Sequence, residues 1–394
     1  MSKQGSVLGG VLLIAGSCIG AGMLGLPILT GMAGFFPSLI MFAVAAFFMT
    51  ATALLLVEVN SWFSGRANFI TMCKEMLGPW GRIGCWVLYL FLFYALSVAY
   101  IAASGHHVAS IFDGKLPIWV GSVFFVALFG WIVYLGTRSV DHVNRFLMAG
   151  KIIAYIALLV VGLGYVQMKL LKEVHFEHTL AALPILVISF GFHNMIPTLS
   201  HYLGGDIKRI RMAIVGGALF ALIVYLFWQV IALGSLPIRG ENGILDSYEK
   251  GIDAAQALKN YVKSPWIGNF AQILAFFAIL TSFLAQTLSL VHFLADGFKV
   301  PHTHRENIWI CLGALLPPLA FAIIYPAIFY AALNFAGGIC AVILFGLFPV
   351  LMIWCGRYQK QKLSGYTVAG GKTLLSVIFF IALFILCYQI VQMI

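Results

Sequence analysis

Along this chain the apolar residues come in long blocks, and the polar ones gather in short gaps between them. Each block runs to about 20 residues or more, enough to cross a bilayer as a helix. A β-barrel would instead alternate apolar and polar positions in segments of about ten. The blocks predict eleven helices, at roughly 6–33, 36–60, 81–108, 117–136, 143–167, 179–203, 210–236, 266–297, 307–325, 327–355 and 373–393. Segment 61–80 sets Trp62, Phe69, Met72, Met76 and Leu77 beside Arg66, Lys74 and Glu75, and reads as an interfacial helix. Segment 239–263 is mixed in charge and suits an amphipathic helix lying on the outer face. Residues 356–372 are polar, with Gly365, Gly370 and Gly371, and read as a loop.

Composition narrows the class further. Of 394 residues, 62% are hydrophobic and 9% charged, whereas a soluble domain carries about 45–50% and about 25%. The expected fold class is therefore an all-α polytopic membrane protein, one membrane domain over 1–394. The first block keeps Gly16 to Pro27 inside it and is read as a retained span rather than a cleaved signal. The net charge of +10 has no long basic run, which points to a lipid bilayer as partner and not to nucleic acid. Cys18, Cys73, Cys85, Cys311, Cys340, Cys355 and Cys387 show no CxxC spacing, so neither a disulfide framework nor a zinc site is expected. With a cytoplasmic amino terminus, only Lys115, Lys169, Lys172, Arg239, Lys250, Lys259 and Lys263 of the 23 Lys and Arg fall outside. Lys3, Arg66 and Arg305 join the larger, inner set. The positive-inside rule thus places the amino terminus in the cytoplasm, and an odd number of spans leaves the carboxyl terminus in the periplasm.

Two spans carry a break. The first reads Gly16-Ser17-Cys18-Ile19-Gly20-Ala21-Gly22-Met23-Leu24-Gly25-Leu26-Pro27. Each Gly costs about 1 kcal/mol relative to Ala in a helix interior, and Pro about 3. The sixth reads Ser189-Phe190-Gly191-Phe192-His193-Asn194-Met195-Ile196-Pro197. Backbone freed from helical bonding at membrane depth is tolerated only where it is buried in protein or lines a cavity. Glycines at small-xxx-small spacing also serve helix packing, but packing alone does not ask for Pro27 or for the polar cluster at 193–194. The breaks lie five spans apart, so the halves run oppositely through the membrane. This gives an inverted 5+5 repeat, about 6–167 against about 179–355, with 373–393 extra.

The break predicts the chemistry. A half-helix amino terminus offers N–H groups to an anion, and Ile19 to Met23 can hold a carboxylate in this way. Opposing carbonyls suit an ammonium group, so an amino-acid zwitterion matches both poles. Neither break holds Asp or Glu, which argues against cationic substrates and divalent metal ions. The expected binding set is Ser17, Cys18, Ile19, Gly20, Ala21, Gly22, Gly191, His193 and Asn194. An aromatic side pocket is expected from Tyr94, Phe190 and Phe192, and polar groups from Ser282 and Gln286 on the eighth span. On the third span Phe91, Tyr94, Ser97 and Ser104 lie near one face.

Ionisable groups inside the membrane are functional candidates. Glu58 is either a proton carrier or an interface carboxylate paired with a loop residue such as Arg66. His193 either gates a proton or caps a broken helix end. Lys151 is either functional or a snorkelling residue at the rim. His106 and His107 read as interface residues, and His292 with Asp296 as structural. His302 and His304 are not a metal site on their spacing. A membrane enzyme built on His193 would need clustered acids or a nucleophile, and a channel a polar lining throughout; neither pattern is present.

The first break resembles the G-(T/S)-x-I-G-A-G-M-L-x-(L/M)-P signature of the hydroxy and aromatic amino acid permeases. Ser189-Phe190-Gly191-Phe192-His193 with Pro197 is similar to the same family. So are Tyr94-Ala95-Leu96 with Ala99-Tyr100-Ile101, Asn144-Arg145-Phe146-Leu147 with Lys151-Ile152-Ile153, and Leu316 to Ala322 with Tyr325-Pro326. The resemblance covers nearly the whole chain and is strongest to the tyrosine-specific branch, with tryptophan permeases near. It implies a LeuT-like fold of eleven spans. It also implies proton-coupled uptake of an aromatic amino acid at the bacterial inner membrane. No cofactor beyond the proton is expected, and no ATPase subunit, since the chain has no Walker motif. In sodium-free members of the wider superfamily a Lys on the fifth span replaces a sodium ion, the place Lys151 would take. Cys18 and Asn194 stand where the tyrosine permeases carry Thr and Gly, which leaves tyrosine and tryptophan both open.

Overall fold

A computed structural model describes residues 5–63, 67–112, 115–300, 306–362 and 365–393. Lys3, Arg66, Arg305, His302 and His304 fall outside them. Ser6 starts the first helix by accepting from the Gly9 amide at 3.0 Å, an N-cap. Helix α1 then spans Val7–Cys18 and α2 Gly22–Gly31, bent by 61° across the break. Helix α3 is Phe35–Ser61, α4 Phe69–Ile111, α5 Ile118–Tyr134 and α6 Thr137–Gly162. A short α7, Met168–Leu171, precedes the second broken span, formed by α8 (Leu183–Ser189) and α9 (Ile196–Tyr202). Helix α10 is Ile207–Ser235, capped by Asp206 at the Arg209 amide. Two short helices, α11 (Ile244–Glu249) and α12 (Ala254–Tyr261), lead to α13 (Pro265–Phe298) and α14 (Ile308–Ile324). The next helix opens as α15 (Phe329–Phe335), winds as a π-helix over Ala336–Leu347, and resumes as α16 (Phe348–Trp354). Helix α17, Gly371–Met393, ends the described chain.

Among the described residues, eight helices are long and apolar enough to cross a membrane, and the bent α1–α2 pair makes a ninth. Helices α5 and α14 are apolar but have 17 residues each. Every predicted apolar block therefore has its helix, while the count of eleven crossings stays an expectation. No strand forms among the described residues beyond an isolated bridge between Gly34 and Val174. The outward faces are also apolar, with Phe47, Phe146, Val160 and Phe380 strongly exposed. Water would penalise such faces and lipid does not.

Three expectations need correction. The interfacial helix 61–80 is not a separate piece: from Phe69 it runs into α4 through a kink at Gly78, whose φ of 76° is left-handed, followed by Pro79. Phe69, Met72, Cys73 and Met76 are buried while Lys74 and Glu75 are exposed, so its amphipathic character holds. The stretch 239–263 does not lie on the outside as one helix. It folds as α11 and α12, and Ala254 to Leu258 are buried against the bundle. The helix before the 356–372 loop continues to Gln359.

Helix ends gather at two faces. The first face holds Gly5, Ser61, Ile207 and Tyr366; the second holds Ser110, Asp253 and Lys259.

Candidate functional site

The two breaks meet inside the bundle, and their freed carbonyls are taken up by side chains from neighbouring helices. Tyr225 of α10 places its hydroxyl between the Cys18 carbonyl, at 2.6 Å, and the Ser189 carbonyl, at 2.9 Å. One hydroxyl proton serves one carbonyl at a time, so this group joins both breaks at a single point. Trp228, one turn on, donates to the Met23 carbonyl at 3.0 Å. Gln229 donates to the hydroxyl of Thr30. On the other flank, Lys151 of α6 donates from Nζ to the Ile19 carbonyl at 2.7 Å. The Ala21 amide, at the start of α2, donates to the Ser282 hydroxyl of α13 at 2.8 Å. A Cβ on Gly20 would sit 2.7 Å from that hydroxyl, so glycine is required for the approach. Buried backbone groups need partners, and α6, α10 and α13 supply them here.

A cavity of about 120 Å³ opens between the breaks. Its polar wall is Ser17, Cys18, Gly20, Gly22, Ser189, Gly191, Asn194, Ser282 and Gln286. Its apolar wall includes Tyr89, Phe93 and Tyr100 of α4 and Phe345 of the π-wound segment. A wider vestibule of about 1150 Å³ leads from it to the first face, lined by Trp86, Lys74, Arg82, His292 and Asp296 among others. Tyr89, Phe93 and Asn194 line both spaces and form the neck between them.

Most predicted site residues come together here. Ile19 and Ala21 contribute through their backbone bonds to Lys151 and Ser282. Three aromatic residues do not line the cavity. Tyr94 turns away and donates to the Gly313 carbonyl of α14 at 2.7 Å. Phe190 is fully buried against Tyr225, with ring centroids 5.3 Å apart. Phe192 is buried behind the break and stacks on His193. The ring wall is made instead by Tyr89, Phe93, Tyr100 and Phe345. Phe91 is 51% exposed and turns outward too.

His193 is wholly buried and does not line the cavity. Its ring stacks parallel on Phe345 at 4.9 Å, and Nε2 lies 2.9 Å from the Thr52 hydroxyl. That hydroxyl spends its own proton on the Met49 carbonyl, 3.0 Å away. With the hydroxyl proton on that carbonyl, Nε2–H is assigned as the donor to Thr52, and Nδ1 has no partner among the described residues. Glu58 pairs with Arg357, and Arg66 falls outside the described residues. Arg357 donates from Nε at 2.7 Å and from a terminal nitrogen at 2.5 Å. The Val368 amide adds a bond to the same carboxylate at 2.7 Å. Glu58 is thus a saturated structural clamp at the first face. At the second face His107 is buried rather than interfacial: Nε2 lies 2.6 Å from the Asp253 carboxylate, which also caps α12. Burial acts to raise the Asp253 carboxyl, but the His107 charge and hydrogen bond, with the Gln256 and Ala255 amides, hold it below its ordinary value. Among the described residues no cluster of His, Cys, Asp or Glu can hold a metal ion.

These features define a multi-pass helical membrane protein with a small aromatic-walled cavity at two interrupted helices. The chain belongs to the tryptophan/tyrosine permease family, whose sequence model matches residues 3–389. It is 31% identical to a tyrosine-specific transport system 2 of Haemophilus influenzae, over 93% of this chain and 92% of that one. It is 31% identical to a tryptophan-specific transport protein of the same organism, over 94% and 92%. A low affinity tryptophan permease of Escherichia coli K12 is 29% identical over 98% and 96%. The chain is therefore an inner-membrane transporter of the aromatic amino acid permease family and not an enzyme.

Proposed function

We propose that this protein imports tyrosine by proton symport through alternating access, with tryptophan as the second reading. The observation that carries it is the meeting of the two breaks through Tyr225, with Ser282 and Lys151 holding the first break, around a cavity with an aromatic wall. The backbone of the breaks and Ser189 serve the substrate's ammonium and carboxylate, and the rings of Phe93 and Phe345 receive its side chain. A phenol ring takes less room than an indole in a space of about 120 Å³, which favours tyrosine. The tryptophan-specific relatives favour the alternative.

In this reading the eleven helical segments each cross the membrane as a LeuT-like inverted repeat. The short α5 and α14, of 17 residues, span about 26 Å, near the thickness of the hydrocarbon core. The first face is cytoplasmic, so the vestibule opens inward. The proton acts at Lys151, because of the three candidates it alone bonds a freed carbonyl of a break. His193 is enclosed by rings and Glu58 is held by Arg357.

The test is uptake of labelled tyrosine into proteoliposomes with and without an inward proton gradient, with unlabelled tryptophan, phenylalanine and leucine as competitors. Gradient-stimulated uptake blocked best by tyrosine is expected. Stimulation blocked best by tryptophan selects the second reading. Uptake of neither, from folded protein, overturns both.

A further inference from the structure

Tyr89 is the one residue at the neck whose chemistry the packing does not explain. Its ring is held by Phe69 at 5.6 Å, Phe93 at 5.7 Å, Phe345 at 6.3 Å and Phe293 at 6.4 Å. The side chain is 6% exposed, and its hydroxyl has no hydrogen-bond partner among the described residues. All four ring neighbours are phenylalanine. A phenylalanine at 89 would fill the same place without leaving a buried hydroxyl unpaired, which ordinarily costs stability.

A second unpaired group lines the same cavity. Gln286 stands one helical turn from Ser282 on α13, and its amide nitrogen has no partner among the described residues. The four residues from 282 to 286 rise about 6 Å. That is comparable with the reach from the α-carbon of an aromatic amino acid to the polar atom of its ring. Ser282 marks the amino-acid head through its bond to the Ala21 amide. Tyr89 sits where the cavity passes into the vestibule.

We propose that Tyr89 is a specificity-determining residue: its hydroxyl, assisted by the Gln286 amide, hydrogen-bonds the polar atom of the substrate ring, so that a ring lacking one is rejected. A phenol or an indole N–H meets the requirement, and phenylalanine leaves both groups unpaired. This rests on the reading that the substrate head sits at the breaks, but it does not depend on which polar ring is carried. A site with buried hydrogen-bonding groups rejects the analogue that lacks their partner more strongly than an apolar site can.

The experiment compares the wild type with Tyr89→Phe in proteoliposomes, using labelled tyrosine, tryptophan and phenylalanine under one imposed gradient. Ligand-induced shifts in detergent melting temperature are read in parallel. The wild type is expected to prefer its polar-ring substrate over phenylalanine by about tenfold or more. Tyr89→Phe is expected to close most of that gap by losing the polar substrate while phenylalanine uptake holds or rises. Its own melting temperature should stay level or rise, since the fold loses only an unpaired hydroxyl. Gln286→Leu should narrow the gap in the same direction. A wild type that carries tyrosine and phenylalanine equally overturns this inference and leaves the transport reading standing. So does a Tyr89→Phe protein that keeps the wild-type ratio. A folded wild type that carries none of the three overturns both.

Discussion

The ammonium of Lys151 donates to the carbonyl oxygen of Ile19 over 2.7 Å, from the middle of one helix to the interrupted turn of another. The side chain is only 4% exposed, so charge and carbonyl meet in a low-dielectric place where each depends on the other. Lys151→Met should abolish gradient-stimulated uptake, lowering it at least about tenfold, and should also lower the melting temperature. The loss of one buried bond to a charged group is worth about 1.5–3 kcal/mol. Full gradient-driven uptake by Lys151→Met would exclude this ammonium from proton coupling.

Tyr225→Phe removes a hydroxyl shared by the Cys18 and Ser189 carbonyls. Leaving a buried acceptor unpaired costs about 1–3 kcal/mol. The expected result is a lower melting temperature with cavity shape preserved. Substrate affinity should fall as well, because the two breaks lose their common anchor. A variant as stable as the wild type would mean that the breaks are held together elsewhere.

The Glu58–Arg357 clamp is bidentate, with side chains 2% and 12% exposed. Removing one partner of such a pair typically costs about 3–5 kcal/mol, because the other charge is left buried. Glu58→Gln and Arg357→Gln should each destabilise strongly. The double variant should be less destabilised than the sum of the two, as a double-mutant cycle on detergent melting would show.

At the second face, pH gives a signed prediction. The folded Asp253 carboxyl titrates below its ordinary value. Its contribution to holding α12 against α4 is therefore complete above the unfolded pKa of about 3.9. It is lost as pH falls through the lower, folded value. Hydrogen exchange over 244–261 should stay slow down to about pH 4 and quicken only below it. Asp253→Asn should exchange faster at neutral pH and lose that acid step.

Much of the site is legible in the sequence, and for identifiable reasons. Glycine and proline in an apolar block are a signal that lipid does not forgive, so both breaks and their residues can be read directly. Which ring faces the cavity cannot. A span buried in a membrane is apolar all round, so spacing along α4 does not distinguish Tyr94, turned to Gly313, from Tyr89, turned to the neck. Phe190 and Phe192 flank the second break in sequence but point behind it, because the unwound turn reorients each in its own way. Tyr225 escapes a sequence reading since nothing local marks it; its partners are far off in the chain. Arg357 is 299 positions from Glu58 along the chain, so nothing local marks this pair either.

The stretch Ala336–Leu347 is wound as a π-helix. Such a stretch holds more residues per turn than an α-helix, so it behaves as an accommodated insertion. Deleting a single residue there would let the helix close to ordinary pitch with the helix beyond Phe348 left in register, so that the residues inside the stretch are the ones that turn. Phe345 would then leave both the cavity wall and the His193 ring. The count of residues in this stretch, and not only their identity, sets which ring the substrate meets.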